Sequence, residues 1–271
     1  LEPISVRLKN IGPAINTKFP EYSPVVSLDG SALYFTSRRN WENDETEGFK
    51  DSRIDQYPED IYVSYNNSDS IWSKPERLEF CQPRRNEATI AISPDERKIY
   101  LYEDSTGNGD IYFTDFYHAE FQDIEILPSK GVNTDNWETH CMMSYDKKVF
   151  YFVSNRKGGF GGRDIYMLKR IEDTEEWSEP INLGDKINGP DDEDSPFISI
   201  DNQTFYYSTN GEKSIGGFDI MTALYQEDGT FSEGSNLGYP FNSTNDDIFY
   251  TTSLDGSKGY LTSFRKDGYG E

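Results

Sequence analysis

Short runs of alternating apolar and polar residues cover the chain, and none shows the 3.6-residue apolar period of an amphipathic helix. The runs come in pairs around acidic turns, as in SPVVSLDGSALYFTS and SPFISIDNQTFYYST. Asp-Gly and Asp-Asn tolerate positive φ, so each pair predicts a β-hairpin. One register recurs five times, anchored on Asp29, Asp95, Asp146, Asp201 and Asp255, which stand 51 to 66 residues apart. Two residues before each anchor is a Ser (Ser27, Ser93, Ser144, Ser199, Ser253), and five after it a Tyr (Tyr34, Tyr100, Tyr151, Tyr206, Tyr260). In the first four repeats Asp-Ile-Tyr or a close relative follows, starting at Asp60, Asp110, Asp164 and Asp219. An aromatic comes next (Trp72, Phe121, Trp177, Phe231), then a Leu six residues on (Leu78, Leu127, Leu183, Leu237). The spacing predicts four strands per repeat, A to D, in a unit the length of a propeller blade.

At the N-terminus, Ile11-Gly12 falls where Leu183-Gly184 and Leu237-Gly238 fall later, so residues 3–10 are expected to be a D strand without its own A, B and C. The fifth repeat supplies A and B and reaches Glu271 just before the next Asp-Ile-Tyr is due. An open ring would expose unpaired edges. The expectation is therefore an all-β, five-bladed β-propeller of four-stranded antiparallel blades, closed by the N-terminal strand. It would span 1–271 as one domain excerpted from a longer multidomain protein.

With 49 acidic against 26 basic residues, the formal charge of −23 repels phosphate backbones and anionic headgroups, which argues against nucleic-acid or membrane-surface partners. No apolar run is long enough to span a bilayer, so direct membrane insertion is not expected either. Cys81 and Cys141 are too few for a disulfide framework, and free buried thiols are the expected state.

Eight residues before each anchor stands a carboxylate: Glu21, Glu87, Glu138, Glu193 and Asp247. These residues begin the innermost strands, so they are expected to ring one mouth of the channel, where like charges would attract a cation or a basic peptide. An amide precedes each by five residues (Asn16, Gln82, Asn133, Asn188, Asn242). The plainer reading of both series is repeated loop hydrogen bonding, as in Asx turns. The third repeat breaks pattern with Trp137, His140 and Cys141 beside Glu138. Strand alternation puts Glu138, His140 and Met142 on one face and Cys141 on the other, which disfavours zinc; no metal or cofactor is expected. In the first repeat a charged insertion carries Trp41, Phe49 and Tyr57, the first choice for contact with a protein partner.

The segments INGPDDEDSPFIS, GGFGGRDIYML and WSEPINLG, with their other copies, resemble the Pro-Asp, TolB-like propeller repeats found in OmpA-family lipoproteins of Bacteroidota, among them the PorE-like members of the type IX secretion system. The resemblance covers nearly the whole chain. It implies a periplasmic, outer-membrane-associated, non-catalytic scaffold that binds other envelope or secretion-complex proteins. Peptidoglycan would be met only through a separate domain. A six-bladed, TolB-like ring is the structural alternative. A five-bladed carbohydrate-active enzyme of glycosidase type, or a cation-binding propeller, is the functional one. Glycosidases need carboxylates in unequal environments, whereas the acids here repeat evenly. Only His118 and His140 are available for a triad, and neither a G-x-S-x-G elbow nor a phosphate-binding loop occurs. The expectation is that the chain is not an enzyme.

Overall fold

The computed structural model describes residues 6–40, 50, 55–67, 71–82, 84–104, 107–128 and 131–265. Every regular element in them is a strand, so no helix here is long and apolar enough to cross a membrane. Blade 1 holds β1 (Glu21–Val26), β2 (Ala32–Ser37), β3 (Asp60–Asn67), β4 (Ile71–Trp72) and β5 (Glu76–Arg77). Blade 2 holds β6 (Glu87–Ile92), β7 (Lys98–Glu103), β8 (Asp110–Tyr117), β9 (Glu120–Phe121) and β10 (Glu125–Ile126). Blade 3 is β11 (Glu138–Met143), β12 (Val149–Ser154), β13 (Asp164–Lys169) and β14 (Ile181–Asn182). Blade 4 is β15 (Glu193–Ile198), β16 (Thr204–Thr209), β17 (Asp219–Leu224) and β18 (Ser235–Asn236). The fifth position is filled by a two-stranded sheet, β19 (Asp247–Thr252) and β20 (Gly259–Ser263). All pairings within these sheets are antiparallel.

The first strands close a circuit: β1 abuts β6, β6 abuts β11, β11 abuts β15, β15 abuts β19, and β19 returns to β1. The chain is a β-propeller whose ring is made by five hairpins, four of them extended into full blades. In place of five four-stranded blades there are four complete ones, of five, five, four and four strands, with a two-stranded fifth, and the six-bladed alternative does not arise. Closure by an N-terminal strand also needs correcting, because described residues 6–10 form no strand. In the complete blades the outermost strands pair with strand C, never with B. Closure instead comes from β1 packing on β19 and β20, and from Ile11, Ala14 and Tyr260 joining the cluster around Phe35 and Trp72.

The anchor residues shape the hairpin turns. In every repeat the Ser hydroxyl bonds the anchor carboxylate, as in Ser27–Asp29 at 2.8 Å and Ser144–Asp146 at 2.7 Å, which pins the turn locally. The repeating Tyr side chains fill the spaces between blades. Tyr100 meets Phe150, Tyr151 meets Phe205, Tyr206 meets Tyr250, and Tyr260 meets Trp72, at centroid separations of 5.0–6.2 Å. Cys81 and Cys141 are both free and buried.

Candidate functional site: the channel and the face where it opens

All five carboxylates stand at the first position of an inner strand, as the register places them. Their oxygens are turned back into the loop that feeds the strand. Each accepts a backbone N–H from that loop: Thr17 to Glu21 (2.9 Å), Gln82 to Glu87 (3.0 Å), Thr134 to Glu138 (2.9 Å), Gly189 to Glu193 (2.8 Å) and Ser243 to Asp247 (2.6 Å). A hydroxyl from the end of strand B adds a second donor to Glu21, Glu138 and Glu193. In three blades a guanidinium completes the set: Arg39 reaches Glu21 (3.2 Å), Arg156 reaches Glu138 (3.3 Å) and Arg265 reaches Asp247 (3.0 Å). Arg39 and Arg156 each also lie over two aromatic rings. Glu87 and Glu193 have no guanidinium within ion-pair distance among the described residues. Burial there pushes the carboxyl groups up, Glu87 to about 8 and Glu193 to about 7, against the pull of the loop N–H donors.

The amide series forms the neighbouring link. Asn133, Asn188 and Asn242 each grip the second residue of the preceding blade's strand C, accepting its N–H and donating to its C=O at 2.8–2.9 Å (Ile111, Ile165, Ile220). Between blades 1 and 2 this role falls to Cys81, not to Gln82: Ile61 N–H donates to Sγ at 3.3 Å. Residues 10–16 repeat the loop geometry of 182–188 and 236–242, with Asn10 accepting from Gly12 N–H and from the Asn16 amide as Asn182 and Asn236 do at their loops.

Every inner strand bears a register shift near its midpoint, and Ser23, Ser195 and Phe249 adopt positive φ there. The shift resets the alternation, which overturns the expected face assignment in β11. Glu138 opposes Ser154 and Cys141 opposes Phe152, so Glu138 and Cys141 share a face. The bulge turns His140 into the channel, in a pocket lined also by Ser23, Met142, Ser195, Phe197 and Phe249. His140 Nδ1 lies 2.5 Å from Asp194 Oδ1, and Arg163 pairs with Asp194 from the other side. Burial opposes the Asp194 charge, yet His140 foremost, then Arg163 and the Ser195 N–H, hold its carboxyl below the usual range. The Ser23 and Ser195 hydroxyls are buried without a hydrogen-bond partner. The channel therefore offers a polar, donor-rich patch inside apolar walls. Asp194 and Arg163 went unnoticed in the sequence. Their only signal was the substitution of His140 where other repeats carry Ser, Thr or Phe.

Trp41 and Phe49 lie outside the described residues. Tyr57 is half-buried, edge-on to Phe19 at 5.6 Å, with its carbonyl accepting from Arg38. On the face where inner strands begin, Trp137, Phe160, Ile215 and Tyr239 are exposed. Phe160 and Ile215 occupy equivalent tips of the loops before β13 and β17, each fixed by its N–H donating to the Asp four residues on. Trp137 donates its indole N–H to Tyr102 at 2.9 Å, and the Arg163 guanidinium lies over its ring.

No family model and no curated protein matches the sequence. Solved structures share the fold. A TolB-type protein from Agrobacterium tumefaciens superposes with a TM-score of 0.51 at 17% identity, over 92% of each chain. A thermostable family-43 glycoside hydrolase gives a TM-score of 0.55 at 16% identity, over 92% of this chain and 85% of its own. TolB from Acinetobacter baumannii matches at a TM-score of 0.46 and 17% identity over 79% of this chain, which spans 45% of its length. The fold is that of a TolB-like propeller. The expectation that the chain is not an enzyme requires correction: the same ring carries a glycoside hydrolase, so the architecture is compatible with catalysis and even spacing of carboxylates does not exclude it.

Proposed function

We propose that this chain is a protein-binding propeller of the bacterial periplasm that docks an outer-membrane-associated envelope protein, of the type IX secretion class suggested by its OmpA-family resemblance, on the face where the inner strands begin. The observation carrying this reading is the set of apolar side chains held out from that face. Phe160 and Ile215 are 52% and 56% exposed, yet their backbones are locked by carboxylate hydrogen bonds, so ordering them costs little on binding. Trp137 and Tyr239 add aromatic surface of the kind that dominates protein interfaces. The acidic surroundings favour a partner with a basic rim.

A photo-crosslinking residue placed at 160 or 215 in the full natural protein, expressed in its own host, tests the assignment. Cross-links to an envelope protein are expected from these sites and not from Ile200 or Leu254, which are exposed on the hairpin turns of the opposite face. Equal labelling from both faces, or none from 160 and 215, overturns it. Hydrolysis of an aryl glycoside by the purified chain, lost in Asp194→Asn, would place its function with the sugar-active propellers instead.

A further inference from the structure

The junction between blades 1 and 2 departs from the repeat at several points that meet in space. Cys81 replaces the gripping amide, its Sγ taking the Ile61 N–H at 3.3 Å and facing the Ile61 carbonyl at 3.9 Å. Glu103 stands directly opposite Glu87 in the ladder, where the other repeats have Ser37, Ser154, Thr209 and Ser263. A hydroxyl that would donate to the first carboxylate is thereby exchanged for a second acid. Asp60, Cys81 and Glu87 each bring a ligand atom within 4.8 Å of the others. All three are buried, and so is Glu103. Glu87 Oε1 accepts the Gln82 N–H, while Oε2 is buried with no hydrogen-bond partner.

A buried carboxylate oxygen facing other acceptors and a thiol is costly unless a proton or a cation lies between them. Two guanidinium groups stand nearby, but each is engaged with a different acid: Arg77 lies 2.6 Å from Asp60 and Arg85 lies 3.7 Å from Glu103. We propose that Asp60, Cys81 and Glu87 form a three-ligand binding site for a zinc-class divalent cation.

The donor set fits that chemistry. A thiolate with carboxylates selects a borderline-soft ion over calcium or magnesium, and tetrahedral zinc holds such ligands about 3.5 Å apart, inside the 4.8 Å that bounds the present separations. Binding releases the Cys81 proton, the ion taking its place on sulfur. Arg77 orients Asp60 from outside the shell. Asp60 belongs to blade 1, Cys81 to the connecting loop and Glu87 to blade 2, so the ion would staple two blades at a junction where a thiol stands in place of the gripping amide.

Titration of the chelator-treated full chain with Co²⁺ tests this. One equivalent should produce a sulfur-to-cobalt charge-transfer absorption that Zn²⁺ displaces. Cys81→Ser should abolish the band, Glu87→Gln should weaken affinity by at least about 100-fold, and Cys141→Ser should leave the band intact. Zn²⁺ should also raise the melting temperature of the natural chain but not of Glu87→Gln, so the reading survives if Cys81→Ser fails to fold. A chain that takes up no Co²⁺, or a band that persists without Cys81 or vanishes with Cys141, overturns the site.

Discussion

Replacing Glu193 by Gln should stabilise the propeller at alkaline pH and do almost nothing in acid. Burial moves this carboxyl from the ordinary 4.5 to about 7, with the Gly189 N–H and the Thr209 hydroxyl pulling it back and the Asp164 and Asp191 charges adding to the push. At about 1.4 kcal/mol per pH unit, that displacement is worth about 3 kcal/mol. The folded state holds the proton more tightly than the unfolded chain. Stability from this group is therefore complete below pH 4.5, is lost as the pH climbs to about 7, and is constant beyond. Glutamine keeps the acceptor for Gly189 and has no charge to desolvate. Urea unfolding of both proteins should give curves that nearly coincide at pH 4.5 and differ by about 3 kcal/mol, in favour of the variant, at pH 8. A difference that does not change with pH, or a variant less stable at pH 8, would refute this account of the pocket.

Asn188→Ala removes the grip on Ile165 and leaves a buried N–H and C=O unpaired; a loss of about 2–4 kcal/mol in urea unfolding is expected. Asp194→Ala takes from His140 its carboxylate partner and leaves Arg163 only the longer pairing with Asp192, and should cost about 3 kcal/mol, read by the same denaturation. Phe205→Ala empties a fully buried position between blades 3 and 4 and should cost about 3–5 kcal/mol, with an m-value unchanged from the natural chain.

What the sequence made legible was the chemistry that acts within a few residues. Ser27 and its counterparts announce their turns because the bond to the anchor Asp spans two positions. The Tyr of strand B is legible too, since interblade space must be filled in every copy. Groups that act across the fold left weaker traces. Arg39 and Arg156 reach carboxylates 18 residues away, and nothing local marks them as their partners. Arg163 reaches Asp194 from the neighbouring blade, and Cys81 stands in for an amide only because its loop follows a different path. The N-terminal segment is legible only in part: Ile11-Gly12 and its loop repeat the geometry of the later copies, but described residues 6–10 form no strand.

The amide grips have a mechanical consequence. Each joins the backbone of one sheet to the segment that launches the next, so at these three seams tension applied along the ring falls on paired bonds instead of on apolar surfaces that could slide. Asn133, Asn188 and Asn242 act as hooks in series, and none of their three seams can widen without opening its hook completely. The seam held by a single sulfur is softer than these three, and under load it would part before them.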